Sequence, residues 1–299
     1  MKNRHSKIER FGLFDLVVYV ILFIFCAICL LPLLNTVAMS LSDKTSAAAG
    51  KVLLWPVNFT VQPYIEILND AQYVRSFGIS VERVLLGTLV NMFFSITMAY
   101  PLSRSRNQFH ARNFYMWVMI FTMMFGGGLV ATYIWLKTLG LLDSIWVLVL
   151  PGAVPTFSVI VLMNFFKGLP GALEEAALVD GANPFQIMYK IFVPLSLPSL
   201  ATISLFAIVG HWNAYFDGKI YINSLRNLPL QTYIQSLSAE LTAEQMVNMT
   251  PEEIVARLEV SSLTFNCAKV VVCTIPVLVI YPFLQKYFVT GLVMGSVKE

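Results

Sequence analysis

Six long apolar runs dominate this sequence, and each is long enough to cross a lipid bilayer. They cover residues 14–34, 83–101, 113–136, 145–166, 196–216 and 265–284. A helix rises about 1.5 Å per residue, so roughly 20 apolar residues cross a hydrocarbon core of about 30 Å. Hydrophobic residues make up 57% of the chain, above the range of about 45 to 50% found in soluble domains. The sequence therefore predicts an all-α, polytopic membrane protein with six transmembrane helices.

The distribution of charge predicts which side of the membrane each connecting segment faces, because cytoplasmic loops are enriched in Lys and Arg. Arg104, Arg106 and Arg112 cluster between the second and third runs. More than half of the 20 Lys and Arg residues fall in this loop, in the two termini and in the segment after the fourth run. We expect a cytoplasmic N-terminus at 1–13 and one transmembrane domain at 14–299, with a cytoplasmic hairpin at 167–195 and external loops at 35–82 and 217–263. Both termini are then cytoplasmic.

The polar segment after the fourth run has the chemistry of a helical hairpin. Residues 173–179 favour a short helix, and Asp180-Gly181 supplies a turn because glycine tolerates the positive φ that ends a helix. Asn183 is a good N-cap, and Pro184 follows at the first helical position, where its missing N–H costs nothing. The segment therefore predicts two short helices joined by a tight turn.

The second helix of the hairpin has an apolar repeat. Phe185, Met188 and Phe192 recur at i, i+3 and i+7, which predicts one apolar stripe facing the protein. Pro194 and Pro198 are expected to end the helix and redirect the chain into the fifth run.

This hairpin resembles the EAA loop of ABC importer permeases. The matching pattern is Glu175-Ala176-Ala177, three residues, Gly181, nine residues, Ile191, one residue and Val193-Pro194. The family usually has leucine where Val193 stands. Several fixed positions at fixed spacing between two membrane runs are more specific than a lone short motif. The alternative is that this segment is a connecting hairpin in an unrelated membrane protein.

The resemblance implies a permease fold of the type I ABC importer class and a set of partners. These are a second, homologous permease forming a heterodimer with this chain, two nucleotide-binding ATPase subunits and an extracytoplasmic solute-binding protein. The chain itself is then no enzyme and binds no cofactor, because ATP and Mg are held by the ATPase. The location implied is the inner, or cytoplasmic, membrane of a prokaryote. The residues that the resemblance assigns to ATPase coupling are Glu174, Glu175, Ala176, Ala177, Asp180, Gly181, Ile191 and Pro194.

The substrate class also follows from resemblance. The stretch from Gly127 through the hairpin, and the segment GHWNAYF in the fifth run, are similar to carbohydrate-uptake permeases of the maltose-type branch. An oligosaccharide is therefore the expected solute, with an amino acid, a peptide or another non-sugar solute as the alternative. The candidate residues of the substrate path are Asn91, Gly127, Asn164, Trp212, Asn213 and Tyr215. Amides and aromatic rings suit sugar hydroxyls and ring faces, but they equally suit interhelical hydrogen bonds and an interfacial aromatic belt.

The absence of certain residues and motifs from the sequence disfavours several other classes of function. No acid or base is expected inside the second, third or fourth span, and ion-coupled transporters commonly need such groups. No G-x-x-x-x-G-K-[ST] phosphate-binding loop occurs, and Gly126 to Gly128 lack the lysine and serine of one. The net charge of +3 is too small to indicate nucleic acid. No metal site is expected, and His211 is interpreted as a packing residue. A membrane scaffold without a transport path remains the second hypothesis.

Overall fold

The computed structural model describes residues 13–238 and 263–296, and all regular elements in these ranges are helical. The all-α prediction is confirmed. The predicted N-terminal segment, apart from its last residue, and residues 239–262 of the predicted second external loop lie outside the described residues. Three helices have the length and hydropathy of a membrane span, and three bent helix pairs raise the number to six. This agrees with six predicted spans.

The chain divides into two compact units, and the first contains residues 13–69 and 263–272. Its helices are α1 (Leu13–Ser40), α2 (Lys44–Ala48) and α3 (Gln62–Asn69), together with the beginning of the last helix, Leu263–Ser296. Residues 14–34 of α1 include no buried side chain, as expected of a lipid-facing span, whereas Ala38 and Ser40 near its end are buried. Asp43 caps α2 by accepting a hydrogen bond from the Ser46 N–H at 3.1 Å.

The second unit contains residues 70–238 and 273–296 and is built around one long helix, α4 (Ala71–Ser103). The prediction that this span begins at residue 83 is wrong, since the helix begins at Ala71. Asp70 caps it by accepting hydrogen bonds from the N–H groups of Gln72 and Tyr73 at 2.9 and 3.1 Å. At 33 residues α4 is about 50 Å long and extends well beyond a hydrocarbon core.

The third and fourth spans are each broken. Helices α5 (Arg112–Met124) and α6 (Leu129–Thr138) meet at 111°, and the break falls at the three glycines, with Gly128 at φ +79°. Helix α7 (Ile145–Val149) and a 3₁₀ turn (Leu150–Gly152) meet α8 (Thr156–Lys167) at 47°. A Cβ built at any of the three glycines has no neighbouring heavy atom within 4 Å. Within the described chain they are therefore not sites of close helix packing.

The helices after α8 belong to the second unit, except that the last helix begins in the first unit and continues in the second. The hairpin comprises α9 (Gly171–Val179), α10 (Pro184–Ile187), a π-helical turn (Met188–Phe192) and α11 (Val193–Leu195). Then follow α12 (Leu197–Asn213), α13 (Phe216–Tyr221), a 3₁₀ turn (Leu225–Asn227), α14 (Leu230–Ser238) and α15 (Leu263–Ser296). The core lies where α4, α8, α12 and the hairpin meet. The sixth span, predicted at 265–284, is a longer helix that continues through most of the predicted tail.

Candidate coupling hairpin and polar cleft

The turn of the hairpin is a complete Schellman motif, the arrangement in which two backbone N–H groups satisfy the last carbonyls of a helix. The Ala182 N–H donates to the Ala177 carbonyl at 2.9 Å, and the Gly181 N–H donates to the Leu178 carbonyl at 3.0 Å. Gly181 has φ +80°, a conformation that L side chains rarely adopt. The predicted glycine turn is confirmed.

A capping box starts the second arm immediately after this turn. The Asn183 Oδ1 accepts a hydrogen bond from the Gln186 N–H at 2.9 Å, and the Gln186 Oε1 accepts one from the Asn183 N–H at 3.0 Å. Pro184 occupies the first helical position as predicted. The reciprocal role of Gln186 was not predicted, although its spacing from Asn183 is the signal for a capping box. The backbone hydrogen-bonding groups on both sides of the turn are thus satisfied by neighbouring residues.

The predicted apolar stripe of the second arm is wrong at Phe185, whose side chain is 71% exposed. Met188 and Phe192 are buried as predicted, and Ile187 is buried in place of Phe185. Ile187, Met188 and Phe192 pack into the core with residues of α4 and α8. Phe185, two residues before Ile187, therefore points to the other side of the arm. The π-helical turn follows Phe185, and in it the Val193 N–H donates to the Met188 carbonyl five residues back. The chain then bends by 84° into α12, as the prolines predicted.

The predicted coupling residues divide into an inner and an outer group. Ala177 is buried in the core, Ile191 is half-buried, and Glu174 pairs with Arg104. Glu175, Ala176, Asp180, Gly181 and Pro194 are exposed. Large apolar side chains lie exposed beside them, with Val179 at 88%. We call the exposed surface formed by Glu175, Leu178, Val179, Asp180 and Phe185 the hairpin face.

A cleft of about 330 Å³, lined mainly by apolar residues and by a few polar ones, lies elsewhere in the same unit. Arg83 forms a bidentate ion pair with Asp217 in its wall, and an Nη1 hydrogen bond to the Ala214 carbonyl measures 3.1 Å. The Arg83 side chain is only 3% exposed. The prediction that the second span has no interior acid or base is therefore wrong. Asp70 is a good capping residue, so the sequence could have indicated that the helix begins there. Arg83 would then have been placed inside the helix.

Asn91 is the one predicted substrate-path residue that lines this cleft. Its Nδ2 donates to the Gly152 carbonyl at 2.7 Å, and its Oδ1 lies 2.7 Å from the Nε2 of His211. The ring of His211 also lies against Gly87, where a Cβ would overlap it. Asn91 thus links three parts of the fold, and His211 is packed between helices as predicted.

The remaining predicted path residues lie apart from the cleft lining. Trp212 is buried, donates its indole N–H to the Cys273 carbonyl at 2.9 Å and meets Phe77 edge to face. The others are exposed, and they are Gly127, Asn164, Asn213 and Tyr215. Among residues 13–238 and 263–296, no group of three or more His, Cys, Asp and Glu side chains could hold a metal ion.

Comparison with known proteins identifies the family. Residues 76–294 match the family described as "Binding-protein-dependent transport system inner membrane component". The chain belongs to this family of permeases. The matched region includes α5 to α13 and therefore the hairpin and the cleft.

This permease is similar to several named proteins, two of which are named for polysaccharides. It is 39% identical, over all of both chains, to the polygalacturonan/rhamnogalacturonan transport system permease protein YtcP of Bacillus subtilis. It is 38% identical to Protein LplC of the same organism, over 91% of this chain and 90% of that one. A chain of a bacterial ABC transporter involved in the import of the acidic polysaccharide alginate matches its structure. That match has a TM-score of 0.83 and 31% identity, over 96% of this chain and 100% of that one.

Proposed function

We propose that this permease forms part of the translocation path of an ATP-driven importer and passes an oligosaccharide from a solute-binding protein into the cytoplasm. The observation that carries this proposal is the hairpin face, an exposed apolar and acidic surface on a locally rigid hairpin. Such a surface suits a soluble partner, and the family match makes an importer the context. The chain performs no covalent chemistry in this account.

The hairpin face is proposed to bind a nucleotide-binding subunit. Val179 and Phe185 offer apolar area to a groove, and Glu175 offers a carboxylate to basic groups around it. ATP and Mg are held by two such subunits, and a second permease completes the path. Closure of the ATPase would then push on the hairpin and move the spans packed against it.

An oligosaccharide that contains acidic sugars is the proposed solute. Support comes from the names of the relatives, which refer to polygalacturonan, rhamnogalacturonan and alginate. Permeases named for a non-sugar solute, sn-glycerol-3-phosphate, are less similar to this chain, at 25% and 26% identity.

Uptake by cells tests whether the chain transports or only anchors a partner. A strain lacking the gene should fail to take up labelled uronate oligomers, and the restored gene should return uptake. Capture of an ATPase by the chain fits both transport and scaffold roles. Unchanged uptake after deletion would favour the scaffold.

The proposed orientation places the termini and the hairpin in the cytoplasm. Asp180→Cys, in a variant whose four natural cysteines are replaced by serine, puts a thiol on the hairpin face. A membrane-impermeant maleimide should label this thiol in inverted vesicles and not in intact cells. Labelling of intact cells would reverse the topology.

A further inference from the structure

Arg104 lies where the end of α4 meets both arms of the hairpin. It follows the last residue of α4, and its backbone N–H donates to the Pro101 carbonyl at 3.2 Å. Its guanidinium is held near α4 by two hydrogen bonds to the Ser103 Oγ, at 2.9 Å from Nη2 and 3.2 Å from Nε. Ser103 in turn donates to the Tyr100 carbonyl at 2.7 Å. The charge is thus fixed at the end of the long span.

The first arm of the hairpin reaches this guanidinium through an ion pair. Glu174, on α9, binds the Arg104 Nη1 with its Oε2. The two side chains are 12% and 14% exposed, so water and salt screen them far less than a surface pair. A planar guanidinium also holds a carboxylate in a better defined geometry than an ammonium does.

The second arm reaches the same guanidinium through an aromatic ring. The Arg104 Cζ lies 4.5 Å from the ring centroid of Phe192, in the π-helical turn, and 4.7 Å from that of Tyr100, in α4. Both distances are within the range of cation–π attraction. The two rings meet edge to face at 5.3 Å, and Phe166 of α8 packs on Phe192 at 5.5 Å. Arg104 therefore contacts both arms of the hairpin and α4 at once.

The neighbouring glutamates of the hairpin consequently face different surroundings. Consecutive residues of a helix point about 100° apart. Glu174 turns inward to Arg104, whereas Glu175 is exposed on the hairpin face. The resemblance assigns both residues to ATPase coupling, but Glu174 is paired with Arg104, whereas Glu175 is exposed.

We propose that Arg104 is a positioning residue for coupling: with Glu174, Tyr100 and Phe192 it transmits displacement of the hairpin to α4 and α8. The proposal rests on the proposed function, since it requires an ATPase that moves the hairpin. Arg104 itself contacts neither the ATPase nor the solute. Its removal should leave docking and hydrolysis in place and lower the solute moved per ATP.

The test uses the complete importer, reconstituted in lipid vesicles with its binding protein and ATPase, and measures uptake and hydrolysis on the same vesicles. Arg104→Gln and Glu174→Gln should each lower uptake per ATP by about fivefold or more, the lower end of usual coupling between sites. Binding-protein-stimulated hydrolysis should persist. Arg106→Gln, in the same loop and exposed, is the matched control and should match the unmodified importer.

Two further variants separate transmission from simple structural support. Arg104→Lys keeps the charge but loses the planar contact with the two rings, so its uptake per ATP should be intermediate. The double variant Arg104→Gln/Glu174→Gln should be no worse than either single one, because residues that act as one unit are not additive.

An unchanged uptake per ATP in Arg104→Gln would overturn the proposal, as would a parallel fall in uptake and hydrolysis that preserves the ratio. If Arg104→Gln does not assemble, Glu174→Gln and Arg104→Lys give the same readout. Absence of uptake by the unmodified importer would instead contradict the proposed function.

Discussion

Substitution of Gly181 isolates the contribution of the hairpin turn. A Cβ at this position meets no heavy atom within 4 Å, so Gly181→Ala creates no clash, and its cost arises from φ +80° alone. A left-handed conformation costs an L residue roughly 1 to 2 kcal/mol, which the reduced freedom of the unfolded chain offsets by about 0.4 to 1 kcal/mol. We expect Gly181→Ala to destabilise the turn by about 1 kcal/mol.

Of two other substitutions at Gly181, one should cost less than this value and the other should cost more. Asn tolerates the left-handed region, so Gly181→Asn should be nearly neutral. Proline fixes φ near −65° and removes the N–H that donates to the Leu178 carbonyl, so Gly181→Pro should cost about 3 kcal/mol or more. Gly171→Ala is the matched control, because Gly171 also has open space around it but no positive φ.

The assay is the affinity of the detergent-solubilised permease for its ATPase, followed by uptake per ATP in vesicles. A cost of about 1.4 kcal/mol in the docked conformation weakens apparent affinity about tenfold. Affinity for the ATPase should decrease in the order Gly, Asn, Ala, Pro at position 181. Gly171→Ala should leave this affinity unchanged. Equal behaviour of Ala and Asn at position 181, or a normal affinity of Gly181→Pro, would refute the reasoning from φ.

Three other substitutions test separate parts of the structure. Asn183→Ala removes the capping box and should destabilise the second arm by about 1 kcal/mol, measured by hydrogen exchange, whereas Asn183→Ser should retain most protection. Asp217→Leu leaves the buried Arg83 guanidinium unpaired and should cost about 3 kcal/mol by thermal unfolding in detergent. Arg83→Met/Asp217→Leu should recover most of this loss, and no recovery would contradict a buried ion pair. Hydrogen bonds from Ser46 and Thr45 hold the pKa of the Asp43 carboxyl well below its usual range. The cap of α2 should therefore persist as pH falls to about 4, the ordinary value, and weaken only below it; Asp43→Ala should abolish this pH dependence.

Local chemistry accounts for the parts of the hairpin that the sequence predicted. A positive φ at Gly181 and a cap at Asn183 depend on residues within a few positions of each other, so they can be inferred without the rest of the fold. The exposure of Phe185 could not, because the side of the second arm that packs against α4 and α8 is set by the rest of the fold.

Boundaries of the spans were predicted where hydropathy changes sharply and missed where it changes gradually. Helix α4 continues through polar residues to a cap at Asp70, so the apolar run covers only part of the helix. Arg83 consequently lies inside the helix and not at its end.

Which distant residues pair with each other could not be predicted from one sequence. Arg83 and Asp217 are 134 positions apart, and Arg104 and Glu174 are 70 apart. Their types permit many partners, and only the fold selects one. The sequence could therefore predict which residues form the hairpin, but not which of the two glutamates turns inward.

Uptake by a fully reconstituted importer tests the central claim most directly. Vesicles containing this permease, its partner permease, the ATPase and the binding protein are supplied with ATP inside or outside and with labelled uronate oligomers. The account predicts accumulation that requires ATP on the hairpin side, requires this chain and is lost with Gly181→Pro. Accumulation that continues when this chain is omitted, or that is unaffected by Gly181→Pro, would contradict it.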